Sequence, residues 1–360
     1  MRRCSLKLVT SAVPILTIAL SLVWITGING REKVELKEVA RSERQWTGVA
    51  VSTEGRIFVS YPRWSDNVPF SVGELMPDGE VKPFPDKGWN AWVAGLSPKE
   101  HLICVQSVYI DGDNSLWILD AANPKFEGVI KDGPKLLKID LKTNRIVRTI
   151  YFDESVAPYT SYLNDVRIDT KKGYAYLTDS GTGALITINL SDGRARRVMG
   201  NHFSTECERI VVKINGKVWR RTDGRIPRFH VDGIALDKAG KYLYYHALSG
   251  LTLYRINTKL LQDTAPDEQN VKIEAIEITG PVDGMEFGPD GNLYLAAIED
   301  SSIKRITPAR EFETVIQDPR LAWPDSLAVG PDGFIYVTTS QTHWWDKPPG
   351  PYRLFKFKPL

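Results

Sequence analysis

The chain is poor in the residues that usually announce chemistry. It holds 3 cysteines and 5 histidines among 360 residues. No Cys/His spacing reads as a zinc site, which excludes a zinc-built fold. Cys4 precedes the apolar N-terminal run, so it marks no lipoprotein cleavage point. An oxidising compartment would permit the one remaining pairing, Cys104 with Cys207, and two buried free thiols are the alternative. Charge of one sign is missing too: 46 Lys+Arg against 44 Asp+Glu leave +2. Without a concentrated basic face the chain offers nothing to nucleic acid. There is no nucleophile elbow, no phosphate-binding glycine loop and no HExxH. Gly181-Thr182-Gly183 lies between strand-like runs and reads as a turn. Pro289-Asp290-Gly291-Asn292 and Pro331-Asp332-Gly333 lack the acidic series of a calcium loop and read as hairpin turns. His202, His230, His246 and His343 are scattered, as packed or capping residues are. Sustained helical periodicity is absent, and Thr258 to Thr264 could form at most one short helix.

What the chain does have is one phrase repeated. His230-Val231-Asp232-Gly233-Ile234-Ala235-Leu236-Asp237 recurs as Val282 to Gly288, Pro324 to Gly330 and Leu163 to Asp169. Weaker copies run from Val105 to Asp111 and from Trp46 to Val51. Each copy has a small polar residue, then a tiny or polar one, then alternating apolar positions. Turn residues and further strand-like runs follow, as in Gly173 to Asp179, Ala184 to Leu190 and Arg194 to Met199. The copies lie mostly 42 to 60 residues apart, with a longer stretch from Asn164 to Asp232. This period, with about four strands per unit, predicts an all-β, six-bladed β-propeller of four-stranded antiparallel blades. The last unit has only three strands. The strand near Val34 is expected at its outer edge, closing the ring and removing the long open edges. Residues 31–360 then form a single domain, expected to be monomeric, with an inserted hairpin at about 200–230 signalled by Asn215-Gly216.

Residues 1–30 stand apart. A positive start, Met1 to Lys7, precedes an uncharged apolar run from Leu8 to Ile28. This reads as an export signal, either cleaved or kept as an N-terminal anchor, since about 20 apolar residues also suffice to span a bilayer. A secreted, periplasmic or extracellular protein is expected, touching membrane only if the segment is retained.

In a propeller the inner strand of each blade starts beside the axis, and the second strand ends at the same face. Two sets of residues are therefore expected to ring one mouth. The first is Thr47, Gln106, Asn164, Asp232, Asp283 and Asp325. The second is Asp120, Asp179, His246, Glu299 and Thr339 to Gln341, with Tyr162, Phe229 and Trp323 as flanking aromatics. Carboxylate and amide oxygens of this kind suit a hard cation or a polar ligand. Each Asp or Asn could instead cap the turn entering its strand. Repeat symmetry makes the set converge either way, and a small-molecule ligand at the axial mouth is expected. Trp344-Trp345 beside Lys347-Pro348-Pro349-Gly350 reads as a lid over the surface or as loop packing.

From Cys104 to Gln341 these phrases resemble the Yellow/major royal jelly protein family, in a bacterial-looking, shortened form. The resemblance rests on VQSVYIDGDNSLWILD (Val105 to Asp120), LNDVRID with GYAYLTDSGTGALITINL (Leu163 to Leu190) and VDGIALD with YLYYHALSGLTLYRI (Val231 to Ile256). DGMEFGPDGNLYLA (Asp283 to Ala296) and WPDSLAVGPDGFIYV (Trp323 to Val337) complete it. It implies a secreted six-bladed propeller that binds small molecules, biogenic amines among them, and in some members converts dopachrome. The sequence is similar, more distantly, to the gluconolactonase/regucalcin family, which holds a divalent cation on the axis with Glu, Asn, Asn and Asp. That likeness implies Ca2+ or another divalent cation on Asn164, Asp232 and Asp283. Asp232 or Asp283 would then be the catalytic base of a lactone hydrolase. Thr47 stands where that family has its Glu, so the full metal set is not present.

Overall fold

The runs that read as strands are apolar on both faces because each blade is covered on both faces. In Ser115–Asp120 all six residues are buried. Trp117 and Leu119 pack toward the following blade with Leu163, Val166 and Leu177. Leu116 and Ile118 pack toward the preceding one with Phe58 and Val72. Four further clusters of this kind fill the remaining blade-to-blade interfaces. Stability is thus spread around a ring of cores, each buried Leu, Ile or Phe contributing about 1.5–3 kcal/mol.

The computed structural model describes Met1 and residues 34–359, apart from 67, 263–270 and 346. The N-terminal export or anchor segment therefore lies outside the described residues. Residues Val34–Leu360 form one compact unit. Within it, six four-stranded antiparallel sheets follow one another around the ring; in the first five the earliest strand is innermost, and in the sixth Pro324–Val329 is. The inner strands are Val49–Val51, Val105–Ile110, Leu163–Asp169, Val231–Leu236, Val282–Phe287 and Pro324–Val329. We number the blades one to six in that order. Each inner strand packs on the next, and the last packs on the first. The sixth sheet takes three strands from the C-terminal end and its outer strand from Lys37–Ser42, which pairs antiparallel with Tyr352–Phe357. The closing strand thus begins a little later than Val34. The one α-helix among the described residues is a single turn, Thr258–Gln262. Between blades three and four a small hairpin pairs Lys213–Ile214 with Lys217–Val218.

Cys104 and Cys207 are both free thiols, the first buried and the second partly exposed. The pairing permitted by sequence is not formed. Cys104 lies against the Tyr162 hydroxyl at 3.8 Å, and burial pushes its thiol up to about 12.

One ion pair is fully enclosed. Lys135 Nζ lies 3.0 Å from Asp120 Oδ2, with both side chains at 0% exposure. Asp120 also accepts backbone N–H groups of Ile103, Cys104 and Ala122, tying the blade-two entry together. Removing one partner of such a pair leaves a bare buried charge. Lys135→Ala should therefore lower unfolding free energy by about 3–5 kcal/mol. Lys99→Ala, which breaks an exposed pair with Asp132, should cost no more than about 1 kcal/mol. Denaturant melts of the two variants check this, and similar losses in both would contradict it.

A candidate ligand chamber on the propeller axis

The repeated phrase has a local geometry. In blades two to six the pairing of inner and second strand slips at the start of the phrase, as between Val105/Ser107, Leu163/Val166, Val231/Gly233, Val282/Met285 and Pro324/Leu327. This bulge lets consecutive residues face the axis at two levels. Gln106, Asn164, Asp232, Asp283 and Asp325 line a chamber of about 690 Å3 at one mouth. The residues that follow them in four blades, Ser107, Asp165, Gly284 and Ser326, line a second cavity of about 440 Å3 toward the opposite ends of the same strands.

Thr47 is not at the chamber. Its hydroxyl donates to the Gln106 carbonyl at 3.0 Å. Several other expected positions are also occupied elsewhere. His246 is buried within blade four, Nδ1 facing the Ala247 carbonyl at 2.7 Å and Nε2 the Thr279 hydroxyl at 2.9 Å. A carbonyl only accepts, so Nδ1 carries the proton, and burial brings the imidazole down to about 4. His246 is therefore a packed neutral residue, not a chamber ligand. Asp120 is engaged by Lys135 and Asp179 by Arg197. Glu299 holds the inserted hairpin through the Lys213 N–H at 2.7 Å. Gln341 donates to the Pro351 carbonyl at 2.9 Å. Asp120, Asp179, His246, Glu299 and Gln341 are thus engaged at blade ends and loops, whereas the Ser340 side chain hydrogen-bonds Asp325.

Three aspartates remain at the chamber floor with no Lys or Arg side chain paired to any of them among the described residues. Asp232 accepts from Asn164 Nδ2 at 2.6 Å. Asp283 accepts from Trp323 Nε1 at 2.6 Å. Asp325 accepts from the Ser326 hydroxyl at 3.2 Å. Burial, then the fields of Asp165 and Asp325, holds the Asp232 carboxyl well above the usual range, against hydrogen bonds from Asp283 and Ser180. Asp283 is raised likewise by burial, then by Asp325 and Asp232. Burial pushes Asp325 up to about 7, with Asp165 adding to it. Burial, and after it the neighbouring negative charges, disfavours ionisation of all three together.

The wall is aromatic. Phe126 stacks on Tyr162 with centroids 4.7 Å apart and on Trp64 at 5.5 Å. Phe229 stacks on Trp219 at 5.8 Å, and Trp219 stacks on Trp345 at 5.8 Å and meets Trp323 edge-on at 4.7 Å. Trp345 therefore packs against the insertion and lines the chamber, while Trp344 is exposed. Tyr162 accepts from Trp64 Nε1 at 2.5 Å and donates to Gln106 Oε1 at 3.1 Å, which fixes the glutamine. Lys125, Phe126, Trp323 and Trp345, all in the lining, have positive φ of 54°, 58°, 59° and 55°. Such strained backbone is held only where its surroundings over-determine it. Sequence reading missed Trp64, Phe126 and Ser180 because loop residues outside the repeat have no periodicity to place them.

Asn164, Asp232 and Asp283, the residues implied for an axial cation, line the same chamber. Among the described residues no group of three or more His, Cys, Asp or Glu is arranged to hold a metal ion. The Thr47 hydroxyl is bonded to backbone, and one oxygen of Asp283 accepts an indole N–H.

The "Major royal jelly protein" family profile matches residues 103–346. Major royal jelly protein 5 of Apis mellifera is 26% identical over 278 residues, covering 72% of this chain and 42% of that protein. Dopaminechrome tautomerase of Drosophila melanogaster is 23% identical over 233 residues, covering 60% and 49%. The chain spans about half the length of the curated relatives it matches. In fold it is similar to a gluconolactonase of Xanthomonas campestris, with TM-score 0.56 and 11% identity over 90% of this chain and 89% of that one.

A carboxyl whose folded pKa lies above its unfolded value, about 4, keeps a proton that the unfolded chain gives up. Its contribution to stability is present below about pH 4 and is lost as pH rises through the folded value, about 7 for Asp325. Melting experiments between pH 4 and 8 should show Asp325→Asn gaining on the native sequence as pH rises, by up to about 1.4 kcal/mol per pH unit for one proton. Parallel profiles would place the Asp325 carboxyl in the ordinary range.

Proposed function

The chain belongs to the major royal jelly protein family, and on that premise we propose that it is an exported propeller binding a small cationic aromatic molecule in its axial chamber. One observation carries the reading: Asp232, Asp283 and Asp325 are buried on the chamber floor with no Lys or Arg partner among the described residues. Buried carboxylates left unpaired are costly, and a ligand that brings positive charge relieves them. The aromatic wall favours the same ligand, because ring faces attract cations by about 0.5–2 kcal/mol and stack on an aromatic body. A chamber of about 690 Å3 falls in the range of small-molecule sites. The positive start and apolar run of residues 1–28 support export.

A titration with tyramine, set against its neutral isostere 4-ethylphenol, tests this. Tyramine should bind and 4-ethylphenol should bind at least about tenfold more weakly, a difference of about 1.4 kcal/mol. Asp283→Asn keeps an acceptor for Trp323 and removes the charge, so it should weaken tyramine by a similar factor. Affinity should fall as pH drops from 8 to 6, because the carboxyls regain protons below about 7 for Asp325. Equal binding of the two probes would overturn the reading.

A second reading, proton transfer, is favoured by the Asp325 carboxyl itself. A base near neutrality is matched to accepting a proton at physiological pH, and a relative is named dopaminechrome tautomerase. Dopaminechrome should then lose its visible absorbance faster with the native protein than with Asp325→Asn. Identical rates would leave binding alone. A divalent-cation lactonase, the alternative from the distant likeness, lacks its Glu ligand at Thr47.

A further inference from the structure

We infer that the chamber's ligand is a zwitterion: an aromatic body with a cation at the floor and an anionic group, such as a carboxylate, at the mouth. This rests on the cationic-ligand reading and names the class of molecule within it.

The floor and the mouth carry opposite charge. At the mouth the lining includes Arg44, Arg221 and Lys125 on the positive side, against Glu43 and Asp223. Two of these charges are already neutralised. Lys125 is paired with Asp66 at 2.5 Å, and Asp223 is engaged by Arg225 Nε at 2.7 Å, with the Arg221 charge acting on it more weakly and beyond ion-pair distance. What remains is Arg44 and Arg221 against Glu43. No carboxylate lies within ion-pair distance of either arginine among the described residues. Arg221 is half-buried, with its guanidinium 5.8 Å from the Phe229 ring centroid. Phe229 is itself part of the aromatic wall, and Arg221 lines the chamber beside it. The loop carrying it is tied down, since Trp345 Nε1 donates to the Arg220 carbonyl at 2.7 Å.

A simple amine would satisfy the floor and meet surplus positive charge at the mouth. A simple acid would do the reverse. A molecule with both groups matches both ends, and an arginine fork is the side chain best shaped to take a carboxylate.

Three matched probes separate these cases by calorimetric titration: tyramine with the amine alone, tyrosine with amine and carboxylate, and 3-(4-hydroxyphenyl)propanoate with the carboxylate alone. Tyrosine should bind about tenfold more tightly than tyramine, and the acid should be weakest. Arg221→Gln should remove most of that preference by weakening tyrosine, leaving tyramine as tight or tighter because a like charge is gone. Tyramine binding at least as well as tyrosine, or Arg221→Gln changing both alike, would overturn the zwitterion inference while the cationic-ligand reading stands. If neither tyramine nor tyrosine bound, the cationic-ligand reading would fall, and this inference with it.

Discussion

The structure depends on how closely the six inner strands approach one another around the axis. A Cβ on Gly233 would meet the Asp283 carbonyl oxygen at 2.0 Å, and one on Gly284 the Asp325 carbonyl at 2.3 Å. Only glycine lets the blades come together there. Elsewhere a hydroxyl from the second strand bridges the gap. Ser60 Oγ accepts the Gly48 N–H at 2.9 Å and donates to the Gln106 carbonyl at 2.9 Å. Thr178 does the same between the Asp165 N–H and the Asp232 carbonyl, and Thr338 between the Ser326 N–H and the Thr47 carbonyl. The Thr178 and Thr338 bridges satisfy a bulge N–H that the slipped ladder would leave bare, and all three lock one blade to the next.

The chamber's chemistry follows from that closeness. In blades three to six the residue before the glycine or the bridged position lines the chamber, and in three of them it is aspartate. Packing the strands tightly brings those carboxyls into a water-poor ring whose nearest groups are amides, indoles and hydroxyls. They respond by holding protons. A site built in this way has charge to offer only when something positive arrives. Stability and the proposed binding are therefore coupled: the feature that strains the protein near neutral pH is the one proposed to attract a cation.

Much of this was legible in the repeat. Six phrases at a near-constant period imply six blades, and the position of Asp232 within its phrase places it on the axis beside Asn164, Asp283 and Asp325. Of the second set Ser340 bonds Asp325, while most of the others turn elsewhere, because ending at the same face is not the same as reaching the chamber. Asp120 and Asp179 turn to Lys135 and Arg197, and His246 to Thr279, contacts between residues 15 to 33 positions apart that no period encodes. The aromatic wall was only partly visible. Tyr162, Phe229 and Trp323 flank the phrases, whereas Trp64 and Phe126 come from loops whose course is set by packing. The two cysteines show the same limit, since sequence permits a pairing that the fold does not make.

The central claim is that carboxyls holding protons give them up to a cation. Calorimetric titration of tyramine near pH 7, repeated in buffers of different ionisation enthalpy, counts the protons released per molecule bound. The account expects net release by the native protein, reduced in Asp325→Asn and fading as pH is raised above the Asp325 value of about 7. Binding with no proton release at any pH from 6 to 8 would contradict it.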